Sequence, residues 1–241
     1  ICDIIASRLR DKALIAKAKE FPYQIMVAYA MADDAVPGQV KDALQDAMEI
    51  AVANIPTIEG RVVVCPDVSG SMSSPVTGHK KGSTSKVRCI DVAALISAAF
   101  MRLKKNTELI PFEQSVSKIK LNSRDSIMTN AQKLASIGGG GTNISAPLVW
   151  MNSRGISADL VILVSDNESW VDGSRGRGTE LMAQWQAFKR RNTSAKLVCL
   201  DVQPHETTQA RDREDILNIG GFSDQVFELI SEFARGNLTG N

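Results

Sequence analysis

The sequence is short of the residues that mark several large functional classes. Four cysteines, Cys2, Cys65, Cys89 and Cys199, are scattered over 241 residues with no Cys-x-x-Cys pair. That spacing argues against a disulfide scaffold and the common zinc modules, and it reads as reduced structural thiols in a cytosolic protein. Histidine occurs twice, at His79 and His205, and neither sits beside a candidate nucleophile. Formal net charge is only +1, so no global basic field argues for nucleic acid, and any RNA contact must be local. No apolar run approaches the roughly 18 residues of a membrane span, and the start lacks a basic stretch leading into an apolar one. The expectation is a cytoplasmic chain, neither secreted nor membrane-bound. It begins Ile1-Cys2-Asp3 rather than with Met, so a longer parent is expected.

What is present is a hydrophobic content of 44%, enough for one medium domain with a smaller companion. From Ile4 to Asn54 the apolar spacing is helical. Ile4, Ile5, Leu9, Leu14 and Ile15 suggest one helix, Ile25 to Ala30 after Pro22 a second, and Val40, Leu44, Ala47, Met48, Ala51 and Val52 after Pro37 a third. Three such helices resemble the end of an α-solenoid. The expected division is a helical segment over 1–56 and an α/β domain over 57–241.

Beyond Pro56 strands and helices alternate, as in a doubly wound, mostly parallel sheet with helices on both faces. Strands are expected at Arg61–Pro66, Glu108–Phe112, Leu160–Ser165 and Lys196–Val202, with a weaker one near Gln225–Phe227 and a short edge strand at Ser115–Leu121. Helices are expected near Lys86–Leu103, Ser126–Ile137, Ser145–Asn152, Glu180–Arg191 and Phe227–Ala234. Right-handed crossovers would bring the carboxyl ends of the strands to one rim.

The stretch Val62 to Met72 runs a buried-strand pattern into small oxygen donors, Asp67, Ser69 and Ser71. Their alternation in an extended turn lets the three side chains face one point, with Gly70 easing the backbone. Two further loops carry similar residues: Gly138 to Gly141 followed by Thr142 and Asn143, and Ser165-Asp166-Asn167-Glu168-Ser169. Carboxylates and hydroxyls without His or thiolate suit a hard cation, Mg²⁺ or alternatively Mn²⁺ or Ca²⁺, and disfavour zinc. The plainer reading, that Ser and Asp only cap turns, suits one such loop better than three in order on one rim.

Asp-x-Ser-x-Ser at 67–71, with the distant Thr142 and Asp166, resembles the metal-ion-dependent adhesion site of von Willebrand factor A domains. More narrowly, Asp67 to Met72, Gly140-Gly141-Thr142, Ser165 to Ser169 and Ala195 to Cys199 resemble the Ro60 (TROVE-domain) proteins. Phe21-Pro22, Ala28-Tyr29 and Asn54-Ile55-Pro56 are similar to the segment leading from that family's HEAT-like ring into its A domain. The resemblance implies that Asp67, Ser69, Ser71, Thr142 and Asp166 are the metal-site residues. It also implies a parent protein that binds small noncoding Y-type RNA through its helical ring. In the leading reading of the site, an acidic group of a protein partner completes the coordination of the cation.

Lys80 and Lys81, next to His79, and Arg175 and Arg177 among glycines, could together form an anion or RNA contact; solvated polar loops are the plainer reading. Trp150, Trp170 and Trp185 could stack bases, but core or rim packing is simpler. The leading function is a non-enzymatic, cation-dependent binding domain. One alternative is a Mg²⁺-dependent phosphohydrolase with Asp67 as nucleophile, disfavoured because Ser69 stands where an Asp-x-Asp arrangement needs its acid/base and because no phosphate loop is present. The other is a structural clamp with a vestigial metal site.

Overall fold

Uniformly apolar strands need both of their faces covered, and this sheet covers them with helices. The computed structural model of the chain describes residues 1–77, 85–104, 106–119, 121–166, 179–203, 209–211 and 213–240. β1 (Val62–Pro66), β2 (Glu108–Leu109), β3 (Leu160–Ser165), β4 (Lys196–Asp201) and β5 (Ile216–Gly220) form one sheet in the order β2-β1-β3-β4-β5, every neighbouring pair parallel. One face carries Val62, Val64, Ile162, Val164, Val198 and Leu200, and packs on α5 (Cys89–Leu103), α6 (Ile127–Ala135) and α9 (Gln225–Arg235). The other carries Val63, Cys65, Val161, Leu163, Leu197 and Cys199, and packs on α7 (Ala146–Arg154) and α8 (Thr179–Lys189). Alternate residues thus enter two different cores, which is why no polar position interrupts the run from Val62 to Pro66.

The helical segment has four helices rather than three. α1 (Cys2–Leu9) and α2 (Lys12–Ala18) are separated because Asp11 caps α2, accepting the Ala13 N–H at 2.9 Å and the Leu14 N–H at 3.1 Å. The single apolar stripe from Ile4 to Ile15 therefore spans a break made by an N-cap. α3 (Pro22–Met31) and α4 (Gly38–Ala51) follow, and α4 buries a row of small residues, Ala43, Ala47 and Ala51. Met26 of α3 and Met48 of α4 enter the same buried cluster as α5 and α9, so the apolar interior runs without interruption from the helices to the sheet.

Two expected strands are absent. Gln225–Phe227 opens α9, whose buried Val226, Phe227, Ile230 and Phe233 follow helical spacing, and the fifth strand is the half-buried edge Ile216–Gly220. Among the described residues of Ser115–Leu121 there is no strand, only a bridge between Phe112 and Val116. The chain turns tightly there through Glu113 N–H to Ser115 O and Ser117 N–H to Pro111 O. Among the described residues no helix is long and apolar enough to cross a membrane.

Candidate cation site at the sheet's carboxyl rim

In this strand order the winding reverses between β1 and β3, which leaves a crevice at their carboxyl ends where open α/β sheets take ligands. Asp67 and Asp166 each lie one residue past those strands and flank it. Pro66 ends β1 with its backbone facing the β2 side: its carbonyl accepts the Phe112 N–H at 3.0 Å, and its missing N–H leaves a gap in that ladder, which resumes where the Val68 N–H meets Phe112 O at 2.8 Å. Asp67 then turns back to β3, donating its N–H to Val164 O at 2.8 Å.

The Asp67 side chain is fully buried and held at both oxygens. Oδ1 accepts the Ser69 N–H at 2.8 Å, and Oδ2 accepts the Ser165 hydroxyl at 2.7 Å. Burial pushes its carboxyl up to about 6; the bonds from Ser165 and Ser69 oppose the shift and the Asp166 charge adds to it. At neutral pH the group is therefore mostly ionised, with a lone pair left on each oxygen. Ser69 Oγ and Ser71 Oγ lie 3.2 Å apart, Ser69 buried and Ser71 half-buried. They meet because Gly70–Ser73 winds into a short 3-10 turn, not the extended turn expected from their alternation.

The glycine loop is fastened to this turn. Gly70 N–H donates to Gly140 O at 3.0 Å, two residues before the buried Thr142. Gly138 has φ +90, and a Cβ there would lie 1.9 Å from Val68 O, so only glycine fits this close approach. Glu113 clamps the loop from below: its Oε2 accepts the Gly140 N–H at 2.9 Å and its carbonyl accepts the Asn143 N–H at 2.8 Å. Asp166 is buried and sits close enough to Asp67 for its charge to be felt there.

Three residues of this rim escaped the sequence reading as site residues. Ser165 and Glu113 orient Asp67 and the glycine loop. Asp201, the last residue of β4, is buried, and Gln209 Nε2 donates to its carboxylate. Burial pushes Asp201 up to about 7, Gln209 opposing and the Asp166 charge adding. The available signal was an acid closing an apolar strand, as at Asp67 and Asp166. Lys80, Lys81, Arg175 and Arg177, with His79, His205 and Trp170, lie outside the described residues. Trp185 is a core residue, its Nε1–H donating to Asp215 at 3.0 Å, and half-buried Trp150 lies under the Arg154 guanidinium.

Among the described residues no group of three or more His, Cys, Asp or Glu is placed to hold a metal ion, so an ion at this rim would have to draw on hydroxyls. The donors present, two buried carboxylates and three hydroxyls with no nitrogen or sulfur, fit a hard divalent cation that keeps some of its water. Burial raises the nearby Cys89 thiol to about 12, with the Asp166 charge adding, which leaves it inert.

A parallel five-stranded sheet covered on both faces, with acids and hydroxyls on its carboxyl rim, defines a von Willebrand factor A type of domain. The Ro60 vWA domain family model matches residues 61–234, and the chain belongs to that family. It is 25% identical over 246 residues to the RNA-binding protein RO60 of Deinococcus radiodurans, covering 97% of this chain and 45% of that protein. It is 23% identical over 253 residues to the RNA-binding protein RO60 of Caenorhabditis elegans, covering 98% of this chain and 37% of that one. The crystal structure of the Deinococcus radiodurans RO (RSR) protein superposes with a TM-score of 0.80 at 22% identity, covering 98% of this chain and 48% of that one. The chain thus spans less than half the length of the relatives it matches.

Proposed function

We propose that this chain is a non-enzymatic, divalent-cation-dependent binding domain of a Ro-like RNA-binding ribonucleoprotein component. Asp67, Ser69, Ser71, Thr142 and Asp166 would hold Mg²⁺, or Mn²⁺ or Ca²⁺, and the bound ion would supply open coordination positions for an acidic group of a protein partner. The observation that carries this reading is the doubly held Asp67 carboxylate, facing a pair of hydroxyls in the crevice between β1 and β3. Ser165 and the Ser69 amide fix its orientation before any ligand arrives, and Gly70 and Glu113 fix the Thr142 loop against it. Ser69 occupies the place a hydrolytic acid/base would need, which supports binding over catalysis.

RNA as a partner rests on the names of the relatives. In this reading the longer parent protein binds a small noncoding, Y-type RNA in the cytoplasm, through its helical ring. Titration calorimetry with Mg²⁺ on wild type, Asp67→Ala and Asp67→Asn tests the cation site. Binding by the wild type and its loss in both variants is expected, and equal binding by all three would remove the reading. A salt-dependent RNA binding assay on this chain and its parent is expected to show weak binding by the chain and tight binding by the parent.

A further inference from the structure

We propose that Asp201, braced by Gln209, is a further residue of the same cation site, acting through Ser165 and water rather than as a direct ligand of the ion. This inference rests on the cation reading above and concerns a carboxylate that reading does not use. In the sheet, Pro66 pairs with Val164, and Ser165 pairs with Asp201. Asp67, Ser165 and Asp201 therefore form one row across β1, β3 and β4, and residues in register across parallel strands project to the same face. The Ser165 hydroxyl already points along that row, donating to Asp67 Oδ2 at 2.7 Å. Asp201 lies two strand spacings from Asp67, about 10 Å. That is too far for both to bind one ion directly, and near enough for charge to act.

Asp201 is enclosed at the carboxyl end of β4. It is 5% exposed, and among the described residues no Lys or Arg pairs with it. Its side-chain partner is Gln209, 4% exposed, whose Nε2 is shared between the Asp201 carboxylate and Leu200 O. That leaves Gln209 Oε1 buried beside them, with no hydrogen-bond partner among the described residues. A buried carboxylate next to an unpartnered acceptor is costly unless something positive, or a donor such as bound water, completes it. A hydrated divalent ion in the crevice supplies both, its waters donating outward to Ser165, Asp201 and Gln209. Asp201 is thus a positioning residue: it orders the ion's outer waters and adds charge that favours a divalent ion.

The test is calorimetric titration of the full chain with Mn²⁺, together with thermal unfolding in EDTA, for wild type, Asp201→Asn and the smaller Asp201→Ser. Mn²⁺ affinity is expected to fall about tenfold in both variants, as loss of one charge at this range implies. Their melting temperature in EDTA is expected to hold or rise, because a buried uncompensated charge has been removed. Unchanged Mn²⁺ affinity in a folded variant, with a lowered melting temperature in EDTA, would make Asp201 merely structural and overturn this inference while leaving the cation reading intact. Failure of the wild type to bind Mn²⁺ would overturn both.

Discussion

Asp224 caps a helix about 200 residues before it in the chain: its Oδ1 accepts the Tyr23 N–H at 3.1 Å, and its Oδ2 accepts the Gln24 N–H at 3.2 Å. The residue in the N-cap position of α3, Phe21, has no side-chain acceptor, and Pro22 has no N–H, so the next two donors are met from the sheet domain. The reverse holds at a second point. Glu49 of α4 accepts the Ile127 N–H at the start of α6 at 2.6 Å and pairs with Arg102 in the last turn of α5. Each part of the chain thus caps a helix of the other with a carboxylate, where the helix dipole also favours negative charge. Around Asp224, Tyr23 packs edge-on against Phe222, with ring centroids 4.8 Å apart, and Phe21 stacks on Phe227 at 6.1 Å.

Removing the first cap should loosen this junction. Asp224→Ala is expected to cost about 1–2 kcal/mol of unfolding free energy, the usual worth of an N-cap, read as a lower urea midpoint. Asp224→Asn keeps one acceptor oxygen and should lose about half as much. A midpoint unchanged in both would show that water serves α3 equally well.

The second cap should be coupled to the first. Glu49→Ala strips the Ile127 amide of its acceptor and leaves the half-buried Arg102 guanidinium with the Asp125 carbonyl but no carboxylate, with an expected loss of about 1–3 kcal/mol. If both caps hold one interface, undocking by the first substitution spares part of the cost of the second. The Asp224→Ala/Glu49→Ala pair should then lose less than the sum by more than about 0.5 kcal/mol. Strict additivity would mean that each cap stabilises only its own helix.

These caps also show where sequence reading reaches its limit. The crevice residues were legible because chemistry and periodicity coincide at them: Val62 to Pro66 is apolar at every position, and Asp67 follows at once with Ser69 and Ser71. Asp201 obeys the same rule after Cys199 and Leu200, but no hydroxyls accompany it and its partner Gln209 is an ordinary loop glutamine, so its place at a strand end is the one local mark it carries. Asp224 contacts Tyr23 only through tertiary structure, and a capping residue 201 positions away leaves no spacing to detect. The misplaced fifth strand has a different cause. Ile216 to Gly220 is short and half-buried, an edge strand with a weak apolar signal, whereas Gln225-Val226-Phe227 is β-like taken alone and helical only when read on to Phe233. Asp11 carried a readable N-cap signal, but the apolar positions on either side of it masked the break.

The close approach at Gly138 makes a separate prediction. Its φ is +90, and a methyl group added there would overlap the Val68 carbonyl, so Gly138→Ala must shift the Val68 backbone, one residue past Asp67. Strain of this kind costs about 1–3 kcal/mol. The variant should therefore melt lower and bind Mg²⁺ more weakly. Gly155→Ala, with φ +63 but nothing within 4 Å of the added methyl, is the control: it should cost stability without touching Mg²⁺ affinity. Equal Mg²⁺ affinity in Gly138→Ala and wild type would detach the glycine loop from the site.

Proton linkage gives the last prediction its sign. Burial holds Asp67 at about 6 and Asp201 at about 7, both above the ordinary 3.8 of an aspartate. Between about pH 4 and 7 the folded chain therefore binds more protons than the unfolded one, and stability falls as pH rises, by up to about 1.4 kcal/mol per pH unit for each group. The contribution is fully present below about pH 4 and is lost as pH passes through 6 and then 7. In EDTA the melting temperature should accordingly be higher at pH 5.5 than at pH 8. Saturating Mg²⁺ favours the ionised carboxylates, so it should raise the melting temperature more at pH 8 than at pH 5.5 and flatten the slope. Asp67→Asn should reduce the slope in EDTA and abolish the Mg²⁺ effect. A pH-independent melting temperature in EDTA would contradict the burial of these two carboxylates, and identical slopes with and without Mg²⁺ would contradict a cation at this rim.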